Sequence, residues 1–132
     1  MNIPKATLIQ LAQQQPDVEV IWLYGSHAKG NAGPASDIDL AIAFNPIKLE
    51  NELETRLRPE MLADDWSRVL NLPEGTISIV DINLVPIPLG AEIINANQVL
   101  WSRDDGSRRL WEERRIMSMM EIDIEYYANG ER

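Results

Sequence analysis

The chain has 132 residues, with no cysteine and only one histidine, His27. The lack of cysteine excludes disulfides, cysteine-ligated zinc, iron–sulfur clusters and thiol nucleophiles, and it favours a reducing compartment. A single histidine also excludes zinc sites built on paired histidines. Any chemistry must therefore rest on carboxylates, hydroxyls, lysine and backbone groups.

Basic residues are also few, since 12 Lys and Arg stand against 21 Asp and Glu and give a net charge of −9. A nucleic-acid groove needs clustered Lys and Arg against the phosphates, so we expect no direct nucleic-acid binding. No apolar run reaches membrane-spanning length, and no basic residue leads an apolar segment at the start. These absences favour a cytoplasmic protein that binds no membrane.

The composition that remains is typical of globular proteins, at 45% hydrophobic and 25% charged,. The length allows one core, so we expect a single domain over residues 1–132. Periodicity, glycines and prolines predict helices over 6–14, 60–70, 89–96 and 105–127, and strands over 18–24, 37–44, 76–85 and 99–101. This order predicts an α/β (α+β) fold: a short mixed sheet flanked by helices, with its core at about 18–103.

A further helix is predicted before Pro59. Leu49, Leu53 and Leu57 recur every fourth residue and predict its buried side, whereas Arg58 is expected on the exposed side. Because proline removes a backbone hydrogen bond, we expect a break at Pro59 and a new helix after it.

The C-terminal helix, about 105–127, is amphipathic. The acidic and basic run at 112–115 is expected to face solvent. The apolar stripe either covers the chain's own sheet or meets a partner, and its members are Leu110, Met117, Met120, Ile124 and Tyr127.

Two acidic residues begin the second predicted strand, Asp37 and Asp39. Residues two apart on a strand point to the same face, roughly 6.5 to 7 Å from each other. Burying two like charges there is unfavourable without a cation, and carboxylate oxygens are the ligands that Mg²⁺ prefers. We therefore expect Asp37 and Asp39 to bind Mg²⁺. The other interpretation is an ordinary pair of solvated acids.

The loop before these acids is rich in glycine and begins with Gly25-Ser26, and ten residues separate Ser26 from Asp37. Glycine lets a backbone approach closely, and a serine opening a helical turn offers a hydroxyl and N–H groups to a phosphate. Lys29 either contacts a triphosphate or is a solvated charge, and Ser36 either binds the nucleotide or caps the turn. Together, these residues predict a site for a nucleoside triphosphate and its metal.

The Gly-Ser and Asp-x-Asp spacing resembles the signature of the DNA polymerase β-like nucleotidyltransferase superfamily. The string YGSHAKGNAGPASDIDLAI is similar to the minimal nucleotidyltransferases, small bacterial proteins often encoded beside a HEPN-domain ribonuclease. The later string VDINLVPIPLGAEIINANQVLWSRD is also similar to that family, so the resemblance covers about residues 21–103. It implies a single nucleotidyltransferase-fold domain.

The resemblance also implies roles for individual residues. Asp37 and Asp39 would be catalytic and would bind Mg²⁺, as two ions, while Gly25 and Ser26 would hold the triphosphate of ATP. A third acid on the later strand would complete the metal site. Asp81 is the available acid, but Ser78 stands three residues earlier, where relatives often carry another, and the two positions face opposite sides of a strand.

The activity implied by the resemblance is protein adenylylation. In the related pairs, the nucleotidyltransferase is an antitoxin that transfers AMP from ATP to a tyrosine of a HEPN-domain, HepT-like ribonuclease toxin and silences it. A hetero-oligomer with the toxin is implied as well. Two alternatives stay open: a non-catalytic antitoxin that neutralises its partner by binding, and a nucleotidyltransferase that modifies a small-molecule hydroxyl.

Overall fold

A four-stranded mixed sheet forms the centre of the computed structural model, which describes residues 3–30, 33 and 37–128, with side chains up to residue 122. The strands are β1 (Val18–Tyr24), β2 (Ile38–Phe44), β3 (Ile77–Asp81) and β4 (Val99–Ser102). Their order in the sheet is β3-β2-β1-β4. β1 runs antiparallel to β2 and β4, whereas β2 and β3 are parallel. The predicted α/β fold with a short mixed sheet is confirmed.

Five helices in the described part of the chain flank this sheet: α1 (Lys5–Gln14), α2 (Gly25–Lys29), α3 (Glu52–Val69), α4 (Ile87–Ala96) and α5 (Ser107–Ala128). On one face, α1 and α3 pack against the even-numbered side chains of β2, such as Leu40. On the other face, α4 and α5 pack against Ala41 and Ala43. Since side chains alternate along a strand, Asp39 belongs to the α4 and α5 face. None of the described helices is both long and apolar enough to cross a membrane.

The third strand is shorter than predicted, because it ends at Asp81 rather than at residue 85. The backbone N–H groups of Leu84 and Val85 donate to the Asp81 carbonyl at 2.9 and 3.2 Å. The Asp81 side chain, through Oδ1, also accepts the N–H of Asn83 at 2.9 Å. These bonds form a turn that directs the chain into α4.

The break predicted at Pro59 is wrong, since α3 continues through it from Glu52 to Val69. The helix begins later than the leucine pattern predicts because the Asn51 side chain caps it, accepting the Leu53 N–H at 2.9 Å,. Pro59 lies on the buried side together with Leu62 and Trp66. Packing of this continuous side offsets the one backbone hydrogen bond that proline removes.

The predicted buried side of this helix is also wrong. Leu53 and Leu57 are 63% and 39% exposed. Arg58, expected in solvent, has a side chain only 9% exposed. Its guanidinium carbon lies 4.4 Å from the centre of the Phe44 ring, so the aliphatic stem and planar head substitute for an apolar residue,.

In α5, the prediction that the charged run at 112–115 faces solvent is wrong for Glu112, which is completely buried. Among the α5 side chains described, up to residue 122, Ile116 is the buried apolar residue, whereas Leu110 and Met117 of the predicted stripe are 47% and 46% exposed. Met120 packs partly against the core. The side chains of Ile124 and Tyr127 lie outside the described ones.

Candidate functional site

The candidate site is built on the corner between β1 and α2, where Tyr24 of β1 pairs with Asp39 of β2. Gly25 follows with φ of +72°, a conformation that side-chain-bearing residues rarely adopt,. A Cβ at Gly25 would also overlap Oδ2 of Asp39. The Asp39 carboxylate therefore lies directly against the backbone of the corner, and only glycine permits this approach.

Asp39 is the more buried of the two carboxylates, and Asp37, just before β2, is exposed. Burial raises the pKa of Asp39, the negative charge of Asp37 raises that pKa further, and His27 lowers it. The two carboxylates thus repel each other at the surface end of the sheet. A cation between them would relieve this repulsion.

The short helix α2 places Ser26 in its first turn and Lys29 at its end, where Gly30 closes it in a left-handed conformation. Ser26 is partly exposed beside the corner. Its hydroxyl and the adjacent N–H groups are available to an anionic ligand that approaches from solvent.

A cavity of about 350 Å³ opens beside this corner, between α2 and α4. Tyr24, Gly25 and Lys29 line one side, and Glu92 and Asn95 of α4 line the other. Lys29 Nζ lies 3.4 Å from Glu92 Oε1. The structure therefore brings Gly25 and Lys29 to a common cavity, and Lys29 also has a carboxylate partner there.

Tyr24 and Glu92 are residues of this site that the sequence reasoning missed. Burial, followed by the charges of Asp39 and Glu92, raises the pKa of Tyr24 to about 12. The phenol therefore stays protonated and can donate a hydrogen bond. A signal for Tyr24 existed, since it is the last residue of a buried strand before the glycine corner. Glu92 comes from a helix 67 residues after Gly25, and nothing local marks it.

Asp81 is not brought to this site. The residue of β3 that pairs with Asp39 is Ser78, whereas Asp81 pairs with Ile42. Three residues along a strand amount to about 10 Å and a change of face, so Asp81 is directed away from Asp39. It is 2% exposed, and its pKa is raised, mainly by burial. Its placement and its turn hydrogen bond give Asp81 a structural role instead of a place beside Asp37 and Asp39.

The donor set of the site consists of two carboxylates, with the exposed Ser78 hydroxyl beside them. No group of three or more Asp, Glu, His or Cys side chains that could hold a metal occurs among the described residues. Two carboxylates fit one Mg²⁺ ion, whose other ligands are water and phosphate oxygens. The two Mg²⁺ ions expected from the sequence would need a third protein carboxylate, and the described residues place none at this corner. Ser36, predicted to bind the nucleotide, lies outside the described residues.

Several solved structures share this fold. A chain of a toxin–antitoxin complex with AMP-PNP aligns at a TM-score of 0.71 and 22% identity, covering 96% of this chain and 94% of that one. A chain of the MntA–HepT toxin–antitoxin complex aligns at 0.64 and 20%, covering 94% and 91%. A chain of the complex between a tri-AMPylated Shewanella oneidensis HEPN toxin and an MNT antitoxin also aligns at 0.64 and 20%, covering 94% of this chain and 90% of that one.

Among curated protein sequences, no match was found. A family assignment comes from the sequence itself, because residues 6–106 match the family described as polymerase beta, nucleotidyltransferase. The matched range contains the glycine corner, both carboxylates and all four strands. The chain therefore belongs to the polymerase beta nucleotidyltransferase family.

Proposed function

We propose that the chain is a Mg²⁺-dependent protein adenylyltransferase that acts as an antitoxin. It would transfer AMP from ATP to a tyrosine hydroxyl of a HEPN-domain, HepT-like ribonuclease toxin, and so silence the toxin. The observation that carries the proposal is the contact of the Asp39 carboxylate with the Gly25 backbone, in a chain of this family. That contact supports the proposal because it brings the Asp39 carboxylate next to the backbone that begins α2.

Each residue of the corner has a part in this proposal. Asp37 and Asp39 would hold one Mg²⁺ ion, which when bound neutralises charge on the phosphates. Ser26 and the N–H groups of α2 would bind phosphate oxygens, and Lys29 would add a positive charge near them. In the reaction, the acceptor oxygen bonds to the α-phosphorus, the bond to the leaving pyrophosphate breaks, and the hydroxyl proton is released.

The partner in this proposal comes from the solved structures of similar fold. One of them is a toxin–antitoxin complex with AMP-PNP, and another contains a tri-AMPylated HEPN toxin beside an MNT antitoxin. A hetero-oligomer with such a toxin, in the cytoplasm where ATP is supplied, is part of the proposal. Residues 1–132 would act in it as one nucleotidyltransferase domain.

A second function is favoured by one observation. The strand residue next to Asp39 is Ser78 rather than an acid, so the chain supplies fewer metal ligands than a strongly binding site would need. In this alternative, the chain neutralises its toxin by binding alone.

The test uses ATP labelled at the α-phosphate, Mg²⁺ and the HEPN-domain protein encoded next to this chain. Wild type should transfer the label to a tyrosine of the toxin, and the nearly isosteric Asp37→Asn/Asp39→Asn variant should lose the transfer. Asp81→Asn should retain it, because Asp81 lies away from the corner. The exposed double variant Glu60→Gln/Asp64→Asn on α3 is the control for loss of two negative charges.

Ribonuclease activity of the toxin separates the two functions. If the Asp37→Asn/Asp39→Asn variant still inhibits the ribonuclease as fully as wild type does, inhibition is by binding. If wild type transfers no label to the toxin, the adenylyltransferase proposal is wrong. A transfer to hydroxylated small molecules without any toxin would instead point to a small-molecule acceptor.

A further inference from the structure

The side of α5 that faces away from the sheet carries a regular row of exposed residues. Leu110, Arg114, Met117 and Glu121 recur every three or four residues, so they lie on one side of the helix,. All four are exposed. The opposite side of α5 packs on the core through Ile116, which is completely buried. These four residues, the outer row of α5, are therefore left uncovered by the part of the chain that the structure describes.

The two charges of the outer row differ from the other charges of α5. The remaining arginines of the helix each have a carboxylate partner within the chain, and they are Arg108, Arg109 and Arg115. Arg114 and Glu121 have no ion-pair or hydrogen-bond partner among the described residues. They are two helical turns apart, about 10 Å along the axis, which is too far for them to pair with each other. Each charge is therefore available to a group outside the chain.

The positions of these two charges are symmetric along the helix. Because α5 spans Ser107–Ala128, its midpoint falls between residues 117 and 118. Arg114 and Glu121 lie equally far from this midpoint, on opposite sides of it. When two copies of α5 are antiparallel with their midpoints aligned, each Arg114 faces the Glu121 of the other copy. A parallel arrangement would instead place like charges together, which is unfavourable.

The same arrangement covers the apolar part of the outer row. Two copies of a 22-residue helix overlap over their full length, about 33 Å,. Leu110 and Met117, each about half exposed in one chain, are then removed from water,. A cavity of about 540 Å³ along the row, lined by Trp111 and Ser118 among others, has room for side chains of the second copy.

We propose that the chain forms a two-fold symmetric dimer in which the outer row of α5 packs antiparallel against the same row of a second copy. The Arg114–Glu121 ion pair forms twice, once on each side of the two-fold axis. The occupant is a second copy because one row holds both members of the pair, so the surface is complementary to itself. The proposal goes beyond the adenylyltransferase function and does not depend on it.

The experiment measures self-association of the full chain by sedimentation equilibrium, without ATP and without toxin. Concentrations extend to about 0.5 mM, because a contact between two single helices is small compared with a standard interface. Wild type should show a monomer–dimer equilibrium in this range. Nucleotide transfer plays no part in the measurement, so failure of the dimer and failure of the proposed function are distinguishable.

Charge reversal tests the surface and the orientation of the helices. Arg114→Glu and Glu121→Arg should each weaken the dimer at least about tenfold, because like charges then face each other on both sides of the axis. The double variant Arg114→Glu/Glu121→Arg restores both ion pairs at the net charge of wild type, so its Kd should return to within about twofold of the wild-type value. Glu60→Arg, exposed on α3, reverses a charge elsewhere and should leave the dimer unchanged.

Circular dichroism verifies that each variant is folded, since all the exchanged side chains are exposed. A wild type that stays monomeric over the whole range would overturn the proposal. Single variants that dimerise as well as wild type, or a double variant as weak as the single ones, would also overturn it. A monomeric chain whose Arg114→Glu variant loses binding to the toxin would assign the outer row to the toxin instead.

Discussion

At the scale of single residues, Gly25 is subject to two independent constraints. Its φ of +72° and its contact with Asp39 each exclude a side chain. Gly75 has only the first, with φ of +85° and open space where a Cβ would stand. The pair separates the effect of backbone conformation from that of the contact.

The first prediction concerns these two glycines. Gly75→Ala should lower the free energy of unfolding by about 1–2 kcal/mol, the value of a left-handed conformation. Gly25→Ala should lower it further and also weaken binding of Mg²⁺ and ATP, because the new methyl group displaces the Asp39 carboxylate. Urea denaturation and nucleotide titration measure the two effects. Equal losses of stability, with nucleotide binding intact in both variants, would contradict the role of the contact.

The second prediction follows from the raised pKa of Asp39. A raised pKa means that the folded chain holds the proton more tightly than the unfolded chain does. Stability therefore falls as the pH rises from 3.8, the ordinary value, through the raised pKa, and it stays lower above that,. Asp39→Asn removes this loss, so the variant should be more stable than wild type at pH 7 and equal to it below pH 3.8.

Asp105 provides a control of opposite sign. Hydrogen bonds from Ser107 lower its pKa, so the ionised form is favoured by folding and neutralisation brings no gain. Asp105→Asn should be no more stable than wild type at pH 7. Urea denaturation across the pH range measures both variants. An Asp39→Asn variant less stable than wild type at pH 7 would contradict the predicted direction of the effect.

The third prediction concerns Ser78, the strand neighbour of Asp39. Because Ser78 is exposed at the edge of the sheet, Ser78→Asp should fold normally and add a third carboxylate to the site. A ligand worth about 1.4 kcal/mol would lower the Mg²⁺ concentration needed for half-maximal AMP transfer about tenfold. Ser118→Asp, on the exposed side of α5, adds the same charge elsewhere and should leave the Mg²⁺ requirement unchanged. An unchanged requirement in Ser78→Asp, as in Ser118→Asp, would place the metal away from this position.

At the scale of secondary-structure elements, the local pattern determined some boundaries and not others. The bounds of β1 agree with the prediction because its run of β-branched and aromatic residues ends at a glycine corner that no strand continues through. For α3 and α5, the error lay in which side is buried. Proline at 59, arginine at 58 and glutamate at 112 look like helix-breaking or solvent-facing residues until the neighbouring elements are in place.

Glu112 shows why tertiary contacts were needed. Its carboxylate accepts from Arg108 at 2.9 Å and from Arg115 at 3.1 Å, both on α5. It also accepts from the Asn83 side chain at 3.1 Å, and Arg115 donates to the Ile82 carbonyl at 3.0 Å. The network attaches α5 to the turn that Asp81 begins. In the sequence, Glu112 and Glu113 are equivalent, and only a residue 29 positions away distinguishes them.

The fourth prediction tests this network. Glu112→Ala leaves Arg108 without its buried partner, and loss of one member of a buried ion pair destabilises by about 3–5 kcal/mol. Glu113→Ala removes the more exposed ion pair with Arg109, in which the Glu113 side chain is 25% and the Arg109 side chain 36% exposed. It should lower the free energy of unfolding by less than about 1 kcal/mol. Urea denaturation measures both changes. Similar losses in the two variants would mean that the network does not hold α5 in place.

At the scale of the whole molecule, the sheet separates two surfaces of different chemistry. The glycine corner with its two carboxylates lies at one end of β1 and β2, and a pocket lined by Phe44, Arg58 and Met61 lies at the other end, on the opposite face. Sequence spacing was sufficient to predict that Gly25 and Asp39 lie together, because Gly25 directly follows β1 and Asp39 lies near the start of the neighbouring strand β2. It was insufficient for Asp81, since the strand register that places Ser78 beside Asp39 is set by packing.

The last prediction uses the thermal stability of the whole chain to measure ligand binding. A ligand that binds only the folded state at 100 times its Kd adds about 2.7 kcal/mol to the free energy of unfolding. In a domain of this size, that raises the Tm by roughly 10 °C. ATP with Mg²⁺ should produce this rise in wild type, and ATP without Mg²⁺ should produce a smaller one. Neither should raise the Tm of the Asp37→Asn/Asp39→Asn variant. Because the Asn variant removes repulsion between the carboxylates, its Tm without ligand should be at least that of wild type. A loss of the ligand response therefore reports lost binding rather than unfolding, and an equal response in the two proteins would place the nucleotide outside the glycine corner.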